Sequence, residues 1–460
     1  MPIIFNQLKK RTLLITISML STVIACNKEN DPVSPVALAE EAYIFGLPLV
    51  TMDITRRQAT NVAQAQITMQ SPMNQFSHLP VFPDADFTAV VRPNADTYYS
   101  NAWFDLSQGP IILTLPGNER YHLMQIMDAY TNVFAAPGTR TTGSAGGQFL
   151  ISGPDWKGSV PGEMTALKSP TNYVWILGRT EVKDPVDGAT VVYPLMQQYT
   201  LTPLGAYTPP QLESHVPTGE PNSIVENMPV DEFFNYLNRL LVINPPTSAD
   251  EPFMKKISKI GIGSGVEFNL SNYTAEEQNE IKKIPENVLS QLKDHQSDFP
   301  VFNGWGVMEN TGNYGTDYLY RAYIARFALG ANLPEDAIYP SCGADGDGNP
   351  LSGENKYMIT FEEGKLPPAN AFWSITMYGS NGYFVHNELN RYALGDRSNL
   401  QFNPDGSLDI YIQHENPGGE KTQNWLPAPS ERFNLLLRVY SPKPEMLDGT
   451  WKTPPLKKIN

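Results

Sequence analysis

The sequence predicts a mainly β protein with a helical insert, in which two antiparallel β-sandwich or jelly-roll-like domains are joined by a helical segment. Three observations carry this reading. Forty prolines and 34 glycines punctuate 460 residues, and 22 Tyr with 20 Phe supply side chains that favour strands. Short apolar runs bounded by turn residues fill two regions, and the stretch between them has helical spacing with recognisable helix ends.

The first 25 residues read as a leader: basic Lys9, Lys10 and Arg11, an apolar run from Leu13 to Ile24, then Ala25 before Cys26. Its ending resembles the lipobox of bacterial lipoproteins. This makes Cys26 the expected lipidation site and first mature residue, and residues 26–36 a spacer. The expected location is the cell envelope, outside the cytoplasm at the outer membrane or cell surface, with membrane partnership through acyl chains. Acidic side chains number 48 against 33 Lys and Arg, and the leader carries three of the basic ones. Nucleic acid is therefore not an expected partner.

A first β-rich domain is expected over 37–228. It begins with a helix signalled by Ser34-Pro35 and disturbed at Pro48. Strands follow at Ala89 to Val91, Ile111 to Leu115, Tyr121 to Met127, Gln148 to Ile151 and Tyr173 to Leu177. The helical segment, 229–337, contains Glu232 to Ile243, stopped by Pro245-Pro246, and Asp250 to Ile260 with Gly261 after it. A capping box at Thr274 and Glu277 starts a helix toward His295, interrupted at Pro285, and Thr316 to Leu329 ends at Gly330. The last domain, 338–460, alternates strictly. Ala371, Trp373, Ile375 and Met377 face opposite to Phe372, Ser374, Thr376 and Tyr378, and Leu435, Leu437 and Val439 oppose Arg438. Pro404-Asp405-Gly406 reads as a hairpin-type turn.

Two segments, RPNADTYYSNAWFDLSQGPIILTLP from Arg92 to Pro116 and RYHLMQIMDAYTNVFAAPGTRTTG from Arg120 to Gly143, closely resemble the first half of a two-domain family. Its halves are known as domains of unknown function 1254 and 1214. The second half is matched by Asp345 to Tyr357, Pro367 to Gly379, Asn387 to Asp396 and Asn424 to Pro442. The resemblance implies a β-rich first domain, helices and a second β-sandwich. It implies no established reaction.

Chemistry is read from the residues. Around Arg92, Asn94, Asp96 and Tyr98, the Asn and Asp either close Asx turns or stand with the arginine at a ligand site. Asp128 and Tyr130 either line a pocket approached by Arg140, or Asp128 pairs with Arg140 as a buried ion pair. Asn387, Arg391, Tyr392, Asn424 and Trp425 suit a site that stacks a ring and hydrogen-bonds polar groups, as carbohydrate sites do, and equally suit loop packing. Arg438, inside an apolar strand, calls for a carboxylate partner.

No H-E-x-x-H, P-loop or G-x-G-x-x-G occurs, and Gly261-Ile262-Gly263-Ser264-Gly265 misplaces its serine for a nucleophile elbow. The histidines at 78, 122, 215, 295, 386 and 414 are scattered. No cofactor or metal is expected. Asp345 to Asn349 alternates like a calcium loop, but Pro350 and Lys356 stand where glycine and glutamate are needed. Two functions remain open. One is an envelope-tethered enzyme acting on a small polar or sugar-like molecule, with Asp96 or Asp128 as acid/base. The other is a non-catalytic lipoprotein that binds a ligand or has a structural role.

Overall fold

Strand alternation decides how the sheets of this protein stack. The structure, a computed structural model, describes residues 34–87 and 92–459. Cys26 with the leader, and the strand expected at Ala89 to Val91, lie outside the described residues. From Pro35 onward the chain is one compact unit.

The first sandwich is built from β1 (Ser77–Leu79), β2 (Thr97–Asp105), β3 (Ile111–Leu115), β4 (His122–Asp128), β5 (Val133–Ala135), β6 (Gly147–Ser152), β7 (Thr165–Lys168), β8 (Tyr173–Glu181) and β9 (Thr200–Pro203). One sheet runs β1-β2-β8-β4-β5 and is antiparallel throughout; the other runs β7-β6-β3-β9, with β6 and β7 parallel. Every second residue faces the partner sheet. Ala102, Phe104, Met124, Ile126, Val174 and Ile176 of one meet Ile111, Leu113, Leu115, Phe149 and Ile151 of the other. Each buried aliphatic side chain of this kind contributes about 1.5–3 kcal/mol.

The second sandwich follows the same logic with β10 (Val301–Phe302), β11 (Trp305–Gly306), β12 (Ala337–Ile338), β13 (Ser341–Cys342), β14 (Lys356–Phe361), β15 (Ala369–Gly379), β16 (Ala393–Gly395), β17 (Leu408–Gln413), β18 (Trp425–Pro427), β19 (Phe433–Pro442) and β20 (Lys457–Ile459). One sheet runs β10-β11-β13-β19-β15-β16, with β12 also on β19; its partner runs β18-β17-β14-β20. Trp373, Ile375, Met377, Leu435, Leu437 and Val439 pack against Tyr357, Ile359, Phe361, Leu408, Ile410 and Ile412. The turn at Pro404-Asp405-Gly406 is not a hairpin. It precedes β17, and β16 and β17 belong to different sheets, so the chain crosses between layers there.

Helices form the third layer: α1 (Pro35–Thr60), α2 (Pro221–Glu226), α3 (Val230–Ile243), α4 (Glu251–Ile257), α5 (Ala275–Lys282), α6 (Ile284–His295) and α7 (Tyr318–Phe327). The capping box of Thr274 and Glu277 starts α5, Gly261 turns left-handed at φ 80 after α4, and Pro285 lies in the first turn of α6. Helix α1 does not stop at Pro48 but runs through it, since an interior proline removes one backbone hydrogen bond and a well-buried helix absorbs that loss. Every residue from Ala42 to Ile54 is buried, which is why α1 shows little helical periodicity. Gly46 brings α1 close to α3: a Cβ there would stand 2.6 Å from a Leu237 methyl carbon, so a larger residue would have to shift Leu237. By length and hydropathy α1 resembles a secretory or membrane-crossing segment near the N-terminus, yet 72% of its apolar window is buried inside the fold.

Phe45 anchors this layer, with rings of Tyr130, Phe253 and Tyr318 at 5.7, 5.2 and 5.2 Å. Phe45→Ala is expected to destabilise the protein by about 3–5 kcal/mol, read as a lowered midpoint in guanidinium unfolding followed by far-UV circular dichroism.

Candidate functional site

The alternation that fills each sandwich leaves a second face on each large sheet, and here those faces are not solvated. Arg179 of β8 stands opposite Tyr99 of β2 and Leu123 of β4. On the other sandwich, Arg438 of β19 stands opposite Ser374 of β15, and Tyr440 opposite Phe372. Tyr121 and Leu123 of the first sheet pack on Phe372 and Tyr440 of the second. The Tyr121 ring is 5.7 Å from Phe372 and 5.4 Å from Tyr440. The two sandwiches therefore meet outer face to outer face along a seam of arginine, tyrosine, serine and threonine.

Asp96 closes this seam. Asn94 Oδ1 accepts the Asp96 and Thr97 backbone N–H groups, at 2.6 and 3.3 Å, in an Asx turn that presents the aspartate. The Asn94 amide donates to Tyr440 at 2.9 Å and to Tyr99 at 3.2 Å. The Asp96 carboxylate accepts from Ser374 Oγ at 2.6 Å, from the Tyr440 hydroxyl at 3.3 Å and from the Arg397 guanidinium. Arg397 also donates to the Val182 carbonyl at 2.7 Å and lies 3.8 Å from the centroid of the Phe372 ring.

Arg438 and Arg179 are different. They are 5% and 6% exposed, and neither forms an ion pair with a carboxylate among the described residues. Arg438 donates to the Tyr378 hydroxyl at 2.6 Å and to the carbonyls of Arg92 and Pro93. Arg179 donates to Gln125 at 2.6 Å and to the Leu177 and Gly330 carbonyls. The expected carboxylate partner of Arg438 is thus replaced by neutral oxygens. The Nε atoms of Arg179, Arg397 and Arg438, and Thr376 Oγ1, have no partner among the described residues. The tyrosines do not neutralise the guanidiniums, because burial raises Tyr339 to about 12 and pushes Tyr121, Tyr378 and Tyr440 upward too.

The residues singled out from sequence are dispersed. Arg92 has an exposed side chain and a left-handed backbone, φ 55, and it is its carbonyl that reaches the seam. Tyr98 points into the first sandwich core, 5.1 Å from the Phe82 ring; its neighbour Tyr99 is the seam residue. Arg140 pairs with Asp336 at 2.7 Å, not with Asp128. Asp336 lies 196 residues from it along the chain, so the pairing is set by tertiary packing alone. Asn387 closes its own loop onto Val385 and Arg391, and Arg391 ties down the carbonyls of Thr422, Gln423 and Trp425. Tyr392 stacks on Phe384. Asn424 holds the Gln401 and Asp409 carbonyls, and Trp425 is buried with its N–H on Gln413. Asp345 caps its own turn through Asp347 and Asn349. Among the described residues no group of three His, Cys, Asp or Glu could hold a metal ion.

Asp128 lies at the end of β4 remote from Asp96. Thr97 opens β2 opposite Glu181, which follows Thr180, the partner of His122, whereas Asp128 pairs with Val174 at the far end of β8. Its carboxylate accepts the Tyr130 and Asn132 N–H groups at 2.8 and 2.9 Å. The Tyr130 hydroxyl donates to the Asn244 carbonyl. Burial pushes Asp128 up to about 6, against its hydrogen bonds and the nearby Arg321. Arg321 is itself buried, with the rings of Phe45, Tyr130 and Tyr318 at 5.2, 5.0 and 5.0 Å.

A raised carboxyl pKa means that folding takes up a proton between the unfolded value of 3.8 and about 6. The charged form opposes the fold above that window, and this penalty fades as the pH falls through it. The melting temperature of Asp128→Asn minus that of the wild type is therefore expected to be larger at a pH well above this window than near its lower end, measured by differential scanning fluorimetry. An unchanged difference would contradict the assignment.

Comparison with known proteins agrees with this architecture. The family described as Protein of unknown function (DUF1254) matches residues 73–203, and Protein of unknown function (DUF1214) matches 336–444. The crystal structure of the VPA0106 protein from Vibrio parahaemolyticus is similar over 93% of this chain and 100% of that one, with a TM-score of 0.69 and 24% identity. At that identity the likeness concerns the fold. An uncharacterized protein from Burkholderia cenocepacia aligns over 94% of this chain and 92% of its own, at a TM-score of 0.43 and 11% identity. No curated protein matches the sequence. The chain is thus a two-domain protein in which a DUF1254 region is followed by a DUF1214 region.

Proposed function

We propose that this chain is an envelope-tethered protein that binds a small anion in the arginine-lined seam between its two sandwiches. One observation carries the reading: Arg179 and Arg438 are buried without a carboxylate partner, each with an Nε–H that no described protein group accepts. A buried charge is normally paired, since removing it from water costs several kcal/mol or more. The orphaned seam atoms are three guanidinium donors and one hydroxyl. A partner for them must be rich in acceptors, as a carboxylate or phosphate is. Arg140 and Arg397, with side chains 32% and 21% exposed, are already paired with Asp336 and Asp96 and add no net charge to the seam.

Binding is better supported than catalysis. Asp96 is committed to three donors and Asp128 to its own turn. Tethering rests on the leader sequence and on Cys26, with multiple acylation giving stable attachment.

The test is thermal melting of the full chain with inorganic phosphate or acetate, against sodium chloride of equal ionic strength. An anion at a hundredfold excess over its Kd adds about 2.7 kcal/mol of stability, so the melting temperature rises with the ligand anion and not with chloride. Arg438→Met and Arg179→Met are expected to abolish the shift, and Arg438→Lys to keep part of it. Equal behaviour in all salts would refute anion binding. Separately, Cys26→Ser is expected to abolish incorporation of labelled palmitate and move the protein from membrane to soluble fraction. Retention on the membrane would sink the lipid tether.

A further inference from the structure

We infer that the seam is gated: two ion pairs across its rim, Asp96 with Arg397 and Asp336 with Arg140, must part before a small anion reaches Arg179 and Arg438. This rests on the anion-binding reading above and adds the route of entry.

The first argument is space. The closed seam is filled by its own side chains, for the Tyr339 ring lies 5.3 Å from the Arg438 guanidinium carbon and the Tyr99 ring 5.5 Å from that of Arg179. Phe372 lies against Arg397 at 3.8 Å, and the Tyr121 ring meets Phe372 and Tyr440 edge-on. Cavities of about 160 and 10 Å³ open beside Phe82 and beside Asp53, away from these residues. An anion therefore enters by parting the two faces.

The second argument is where the charges sit. Each face carries one orphaned guanidinium, Arg179 on β8 and Arg438 on β19, and closure takes both out of water among neutral oxygens and rings. That opposes closure. The rim pairs work the other way, since Asp96 and Arg140 belong to the first domain and Arg397 and Asp336 to the second. Arg140 grips Asp336 with two parallel bonds, at 2.7 and 2.8 Å. Both rim arginines are partly exposed although their carboxylates are buried, so water reaches the basic partner of each pair and can replace its contact. A seam opposed at its centre and held at a hydrated rim has two states, closed and open.

The experiment is modification of the full chain with the arginine reagent phenylglyoxal, read by peptide mass mapping. Arg321, 2% exposed in the helical layer, reports wider unfolding in the same molecule. Arg179 and Arg438 are expected to react roughly tenfold faster than Arg321. Arg140→Lys and Arg397→Lys, which keep the charge but lose the planar fork, should each raise the rates at Arg179 and Arg438 about threefold and leave Arg321 unchanged. Inorganic phosphate or acetate should slow both sites relative to sodium chloride at matched ionic strength. Arg179 and Arg438 reacting no faster than Arg321 would overturn the gate. Protection by phosphate with rates that neither rim variant moves overturns the gate and keeps anion binding. Selective reaction that no anion slows overturns anion binding, and the opening then stands alone.

Discussion

Asp96 is the contact on which the arrangement of the two sandwiches depends. It sits on a turn of the first domain, fixed by Asn94, and its carboxylate gathers Ser374, Tyr440 and Arg397 of the second. Removing one partner of a buried ion pair typically costs 3–5 kcal/mol, whereas replacing both with apolar groups is often neutral, so such pairs do more for specificity than for net stability in many settings (about 3–5 kcal/mol being the cost of an uncompensated charge). For two flat, largely aromatic sheet faces that distinction matters. Hydrophobic contact among Tyr121, Phe372 and Tyr440 is non-directional and tolerates sliding. A directional carboxylate with three donors from two strands and the loop after β16 does not, and it places Arg438 against the Arg92 and Pro93 carbonyls on the same segment.

The buried arginines of this protein fall into two electrostatic situations. Arg321 in the helical layer is enclosed by three rings, and burial lowers its pKa although Asp128 and Asp250 favour its charge from nearby; its Nε, too, has no partner among the described residues. Arg179 and Arg438 in the seam face mainly neutral tyrosines and backbone carbonyls. Aromatic faces and carbonyl dipoles soften the burial of a cation but do not cancel it.

Much of the fold was legible because strands and caps write local rules into the chain. The alternation through Ala371 to Tyr378 and Phe433 to Val439 identified the faces correctly, and Thr274 with Glu277 marked the start of α5. What alternation cannot say is what covers the second face. Phe372, Ser374, Thr376, Tyr378 and Arg438 look like a solvated face, yet they form the seam. The available signal was their type: Arg and Tyr in place of Lys and Glu, on strands of a strongly acidic protein. The partners Asp96 to Arg397 and Arg140 to Asp336 lie 301 and 196 residues apart, and no local pattern encodes them. Helix α1 was harder for the opposite reason, since a helix buried on every side carries no apolar stripe.

The same physics that hides the seam from sequence argues for a binding role there. Acid-base chemistry at neutral pH needs a group that titrates near neutrality and reaches a substrate. Burial raises the seam tyrosines further from that range, and the Asp96 carboxylate accepts from three side-chain donors. Burial pushes two carboxyls up to about 6: Asp128, which stands at the other end of the sheet and holds a turn, and Asp396, which accepts the Trp373 N–H beside Arg397 and Asp96. Guanidiniums, by contrast, keep their charge at any physiological pH and offer fixed donor geometry. That fixed charge and donor geometry is the ground on which we propose that the seam binds an anion.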